Sequence, residues 1–270
     1  MTWWTIEVIL AGANSERVAT LLVELTGQAA EERDQSVVGF AADQATAETA
    51  KALVEKQVGG KVSIAAADPT DWGTRWRDGL QVRRVGRLQV GPSWLLPVGL
   101  ANVVIDPETA FGSGEHGSTR GALTLVDRHL APQDRVLDLG SGSGILAIGA
   151  VKLGARSALG LEIDEDTIPI AEFNADRNLV ADRARFIAGD AALLAPLAGP
   201  VELVVSNILR TVNQSLLEVI HRSMTADGVA VFAGMEVTEA PLFRPELVAA
   251  GYQILEEVID QGWWSVAAAR

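Results

Sequence analysis

Apolar residues in the first part of the chain recur with two periods. Ile6, Val8 and Leu10 alternate with other positions, which predicts a strand over Trp3–Leu10. Val18, Leu21, Leu22 and Leu25 share one face of a helix that Asn14 or Ser15 can cap and Gly27 can stop after Thr26. Two short strands are expected at Ala30–Arg33 and Val37–Ala41. A second helix, Ala45–Gln57, ends at Gly59–Gly60, and Lys61–Ala66 reads as a fourth strand. The order β-α-β-β-α-β suggests a small α+β, ferredoxin-like unit over residues 1–67. Residues 68–101 carry Trp72, Trp76 and Trp94 among glycine and proline breaks, and read as a linker whose tryptophans are packing anchors.

From about residue 102 short apolar runs alternate with longer amphipathic ones. Val136–Leu139, Ala158–Leu161, Ala184–Ile187, Leu203–Asn207 and Val229–Ala233 are strand candidates. Ile145–Leu153, Glu165–Asn178, Val212–Ser223 and Thr238–Ala249 are helical. Strands separated by helices imply a parallel, doubly wound, Rossmann-like α/β sheet over residues 102–270. Tyr252–Ile259 and Trp263–Ala269 face each other across Asp260-Gln261-Gly262, which predicts a C-terminal antiparallel hairpin.

Composition narrows the setting. Of 270 residues, 48% are hydrophobic and 21% charged, enough for a sizeable core. The longest apolar runs, such as Ile145–Val151, fall far short of the roughly 20 residues a bilayer span needs. The N-terminus lacks a basic region, and Glu7 interrupts the first apolar run, so no signal peptide is expected. The absence of cysteine removes disulfides, thiolate metal sites and cysteine nucleophiles, and it fits a cytoplasmic location. The three histidines, His116, His129 and His221, are not spaced as ligands, so no metal is expected.

The net charge of −13 is uneven. Residues 1–67 hold 5 basic and 9 acidic groups, whereas residues 68–101 hold 5 basic and 3 acidic. An acidic surface repels phosphate backbones, which argues against nucleic acid and favours a basic protein partner. Solubility alone also accounts for acidity.

Four motifs carry chemistry. In Val136-Leu-Asp-Leu-Gly-Ser-Gly-Ser-Gly-Ile-Leu-Ala147 a buried strand runs through Gly140, Gly142 and Gly144 into a helix. Such glycines allow a tight turn and close approach of a ligand, and the helix start offers free N–H groups. The spacing is not that of a dinucleotide site, and with Asp138 ahead of the first glycine it leans toward S-adenosylmethionine. Glu162 ends the next strand, 22 residues after Gly140, where an acid can accept hydrogen bonds from ribose hydroxyls. Asp164 is expected to cap the following helix. Asn207 ends the fourth strand, where its amide could hold the methionine end of the cofactor or the incoming amine. Ile105–Gly121 is rich in glycine and holds His116, Ser118 and Thr119, and it could close over the cofactor.

These segments resemble the ribosomal protein L-eleven methyltransferases (PrmA-type). The resemblance rests on Phe111-Gly-Ser-Gly-Glu-His116 with Ser118-Thr119, then Leu137–Ile148, Gly160–Asp164 and Ser206-Asn-Ile-Leu209, in the family's order. Asp71-Trp72 with Trp76 is similar to its linker, and Trp263-Trp264 to its final hairpin. The likeness covers roughly residues 68–270 and rests on element order alone before that. Ser113, Ser118 and Glu162 stand where the family carries threonine, threonine and aspartate.

The resemblance implies a class I methyltransferase with cofactor contacts from Thr119, Gly140, Glu162 and Asn207. It also implies an N-terminal domain that recognises a basic ribosomal protein, and methylation of lysine ε-amines and an N-terminal α-amine. Asp138 and Gly142 join the candidate cofactor set from the glycine motif. Asn207 and His116 are the candidate catalytic residues, His116 as a proton acceptor or as a brace for its loop. A monomer without a nucleic-acid or membrane partner is expected. Two rivals stand beside this reading: a methyltransferase of the same fold with another acceptor, and a silent binding module.

Overall fold

The structure, a computed structural model, describes residues 3–10, 15–28, 30–32, 35–58, 61–67, 80–106, 112 and 114–270. The chain forms two compact units, residues 1–79 and 80–270. Asn14, Arg33, Gly59–Gly60, Asp71, Trp72, Trp76, Phe111 and Ser113 lie outside the described residues.

The first unit contains β1 (Trp3–Ile9), α1 (Ser15–Thr26), β2 (Ala30–Glu32), β3 (Ser36–Ala41), α2 (Gln44–Gln57) and β4 (Val62–Ala67). Its sheet order is β2-β3-β1-β4, all antiparallel. Alternation puts Ile6 and Val8 of β1 on the face that meets Val18 and Leu22 of α1 and Ala47, Ala50 and Val54 of α2. Asp43 starts α2 by accepting a hydrogen bond from the Thr46 amide at 2.8 Å. Gly27 takes φ +67° just after α1, the left-handed stop that its position suggested.

The second unit opens with a three-stranded sheet, β5 (Arg83–Val85), β6 (Leu88–Gly91) and β7 (Asn102–Val104). This corrects the reading of 68–101 as a linker: residues 80–101 belong to the second unit. The reason is burial, because Val85, Leu88, Val90 and Val103 all sink into its main core.

A seven-stranded sheet follows. Its elements are α3 (Gly117–His129), β8 (Arg135–Leu139), α4 (Ile145–Leu153), β9 (Ser157–Glu162), α5 (Ile168–Arg177), β10 (Ala184–Ala188), α6 (Ala191–Ala198), β11 (Val201–Asn207), α7 (Arg210–Arg222), β12 (Met224–Glu236), α8 (Ala240–Ala249), β13 (Gln253–Asp260) and β14 (Trp263–Ala269). The order is β10-β9-β8-β11-β12-β14-β13. Strands β8 to β12 run parallel, and β14 pairs antiparallel with both β12 and β13. Successive strand residues feed opposite cores. Val136, Leu203, Val205 and Val231 join α3 and α4 on one side. Leu137, Val204, Phe232 and Trp264 join α7 and α8 on the other.

The strand order reverses between β8 and β11. Ligands of open α/β sheets settle beyond the carboxyl ends of the strands at such a point. Gly140, Glu162 and Asn207 all lie at those ends.

Candidate active site

A cavity of about 690 Å³ opens at the reversal point, within the range of small-molecule sites. It is lined by Gly140 and Gly142 after β8, Glu162 and Ile163 at the end of β9, and Gly189 and Asp190 after β10. Asn207 and Ile208 after β11 and His116, Ser118 and Trp263 complete the part discussed below.

The glycine turn is tied down by its own backbone. The amides of Gly140 and Ser141 donate to the Leu161 carbonyl at 2.8 and 3.2 Å. Gly140, Gly142 and Gly144 take φ of +73°, +48° and +80°, conformations costly for other residues. A Cβ on Gly140 would collide with Ile208 Cγ2.

Glu162 faces this turn. One carboxylate oxygen accepts from the Gly142 amide at 2.9 Å, and the other accepts from Ile163 at 2.8 Å and Asp164 at 3.2 Å. The acid thus latches the turn and still borders the cavity. Asp164 accepts from the Asp166 amide at 3.1 Å and caps the short turn that precedes α5, the role expected of it.

Asp138 is placed differently from the expectation that it touches the cofactor. It is fully buried beneath the turn, does not line the cavity, and accepts from the Ala147 amide at 3.1 Å, serving as a remote cap for α4. Burial pushes its carboxyl up to about 7. Thr119 is also buried, its hydroxyl lying 3.4 Å from Asn207 Nδ2.

Asn207 itself borders the cavity, and its Oδ1 is buried with no hydrogen-bond partner among the described residues. A buried, unsatisfied acceptor costs about 1–3 kcal/mol. Such an atom at a cavity wall is a place for a ligand's N–H.

His116 is the residue before α3. Its Nδ1 lies 2.7 Å from Ser118 Oγ, and its ring packs 4.2 Å from that of Trp263. Burial first, then the nearby Arg120 cation, holds its pKa below the ordinary imidazole range, so it is neutral near pH 7. The segment before it is not loose throughout. Ser143 Oγ donates to the Gly112 carbonyl at 2.7 Å, and Gly117 sits in the first turn of α3 against the Asp260 carbonyl.

Sequence reasoning passed over Asp190, which follows Gly189 and accepts from the Ala192 amide at 2.8 Å. Its position at a strand's carboxyl end, like that of Glu162, was the available signal. It also passed over Arg120 and Asp260, 140 residues apart, whose pairing no local pattern announces.

The whole arrangement tests for a bound nucleoside-like cofactor with a cationic, amino-acid-like end, and the residues present fit. An acid faces the glycine turn, an amide oxygen has no partner among the described residues, and Asp190 follows β10. The family model for ribosomal protein L11 methyltransferase (PrmA) matches residues 2–270. The chain belongs to that family. Its methyl donor is S-adenosylmethionine.

Among its relatives, the ribosomal protein L11 methyltransferase of Thermus thermophilus is 39% identical over 201 residues, 74% of this chain and 78% of the relative. That of Desulfosudis oleivorans is 30% identical over 250 residues, 87% and 82% of the two chains. The crystal structure of the ribosomal protein L11 methylase from Lactobacillus delbrueckii subsp. bulgaricus is 31% identical. It covers 70% of this chain and 98% of its own, with a TM-score of 0.63. The class I methyltransferase fold follows from that likeness and from the sheet. Among the described residues no helix is long and apolar enough to cross a membrane.

Proposed function

We propose that this chain transfers methyl groups to amines of ribosomal protein L11, lysine ε-amino groups and an N-terminal α-amino group. The observation that carries the reading is the buried Oδ1 of Asn207, without a partner among the described residues, in a cavity wall shared with the glycine turn and His116.

S-adenosylmethionine supplies an electrophilic methyl group, so the protein's work is to place an uncharged amine in line with it. Glu162 receives the ribose hydroxyls while it holds the Gly142 amide. Asp190 faces the base. Asn207 Oδ1 accepts a hydrogen bond from an N–H, either of the cofactor's methionine end or of the acceptor. A lysine amine has a pKa of about 10.4 in water, and loss of water in the cavity favours its neutral form. Neutral His116 adds no positive charge there. The side-chain bond to Ser118 and the stack on Trp263 support a bracing role for it over proton transfer.

The first unit, with the element order and strand arrangement of a ferredoxin-like fold, is the substrate-recognition domain in this reading. The net charge of −13 suits a basic protein substrate and disfavours nucleic acid. We place the enzyme in the cytoplasm as a monomer.

The test is incubation of purified chain with labelled S-adenosylmethionine and unmethylated L11, followed by mass spectrometry. Labelled lysines that vanish in Glu162→Ala support the proposal. Labelling of a different protein in a demethylated lysate, with L11 untouched, overturns the substrate. No donor binding by calorimetry overturns the methyltransferase reading and leaves the silent module.

A further inference from the structure

The His116–Trp263 side of the cavity comes from two distant places in the chain, and one ion pair joins them. Arg120 lies in the first turn of α3, its side chain 10% exposed. Its Nε donates to Asp260 Oδ2 at 2.7 Å and its Nη2 to Asp260 Oδ1 at 2.9 Å, a two-pronged pair. Its Nη1 donates to the Glu115 carbonyl, directly before His116. Asp260 ends β13, at the turn where Gln261 and Gly262 take φ of +48° and +82° and deliver Trp263. The carbonyl of Asp260 packs so tightly on Gly117 that a Cβ there would collide with it.

We propose that Arg120 and Asp260 are a positioning pair for methyl transfer: together they hold the His116–Trp263 wall in register with the methyl donor. The proposal rests on the methyl-transfer reading of the cavity. Neither residue lines the cavity; both act through the wall. The pair has an electrostatic side as well. Among the described residues the charged groups around His116 are Arg120 on α3, Glu115 in its own segment with Arg83 of β5 bound to it at 2.9 Å, and Asp260 on the hairpin; Glu162 stands on another wall of the cavity. Arg120 is the cation that disfavours protonation of His116. Asp260 partly offsets that cation. A wall that stays uncharged admits an acceptor that arrives as an ammonium.

Three variants and three readouts decide the matter. His116 titration is followed by nuclear magnetic resonance on the full chain, which has three histidines, with assignment by loss of one signal in His116→Asn. Donor affinity is measured by calorimetry, and kcat and KM with L11.

Arg120→Met is expected to lower kcat/KM for L11 by about 10–100-fold through misplacement, with donor Kd changed by less than about threefold and the His116 midpoint raised. Asp260→Asn is expected to cost rate too but to lower the midpoint, since the cation loses its counter-charge. Arg120→Lys should restore the low midpoint and leave most of the rate loss, because lysine lacks the planar fork.

Opposite midpoint shifts in the first two variants are what a mere strut does not produce. Equal losses of donor affinity and rate, midpoints that move together or not at all, or wild-type turnover in both variants would each overturn the proposal. If Arg120→Met does not fold, Asp260→Asn alone decides it. Failure of the methyl-transfer reading shows separately, as wild-type chain that neither binds donor nor methylates L11.

Discussion

The two sides of the cavity are built by different means. The glycine-turn side is local: Gly140, Gly142 and Glu162 lie within 23 residues of sequence, and backbone amides make most of its bonds. The His116–Trp263 side joins α3 to a hairpin 140 residues later, and its bonds are made by side chains. Backbone geometry tolerates no side-chain change but many neighbours. A wall of side chains tolerates small changes yet depends on every partner. On the proposed reading the first side serves the invariant ligand, the donor, and the second the variable one, the acceptor.

That contrast breaks if donor-side and acceptor-side changes give the same kinetic signature. The largest effect is expected from Gly140→Ala. Left-handed backbone costs about 1–2 kcal/mol for a residue with a Cβ, and the clash with Ile208 adds about 1–3 kcal/mol. Donor Kd measured by calorimetry should rise by about 100-fold or more, with thermal stability lowered as well.

Glu162→Ala should raise donor Kd by about 10–100-fold, the worth of charge-assisted bonds. A smaller rise than that of Asn207→Ala would reverse the assignment of the two residues. Asn207→Ala is expected to lower kcat about tenfold or more while donor Kd stays within about threefold, if its Oδ1 serves the acceptor. A pure Kd effect moves it to the donor side.

The smallest effect is a pH slope in Asp138→Asn. The folded carboxyl titrates near 7 against a reference of 3.8, so between those values the folded chain keeps a proton that the unfolded chain has released. Stability from this group is therefore lost as pH rises through that window and is level above it. The melting temperature of the native chain minus that of Asp138→Asn should fall from pH 5 to pH 7.5 and then flatten. A difference independent of pH would show that the carboxyl is ionised throughout.

What the sequence displayed and what it hid divide along the same line. Strands β8, β9, β11 and β14 and helix α4 were legible because short buried runs and glycine turns are written locally; α4 and β14 have the bounds that the pattern suggested. Strands β5, β6 and β7 were not, because runs of three or four residues broken by Gly86 and Pro92 look like a linker until Leu88 and Val103 are seen in the core. Helix α6 was missed for its brevity, its Pro196 and its unbroken apolar composition. Asp138 was read as a ligand contact because a polar residue beside a glycine motif suggests one, whereas its carboxylate turns inward to the Ala147 amide. Arg120 and Asp260 carry no local sign at all.

The placement of β14 between β12 and β13 bears on how the chain is made. β14 follows β13 in translation yet fills the slot between β12 and β13, so a growing chain that has reached only β13 leaves β12 with a bare edge of backbone donors and acceptors. Until Trp263–Ala269 clear the ribosome tunnel, that edge is open to any passing strand, and the His116 side of the cavity lacks Trp263. A stalled or truncated product is thus expected to be both inert and prone to clump, while one that has gained those seven residues closes its sheet and its wall in a single event.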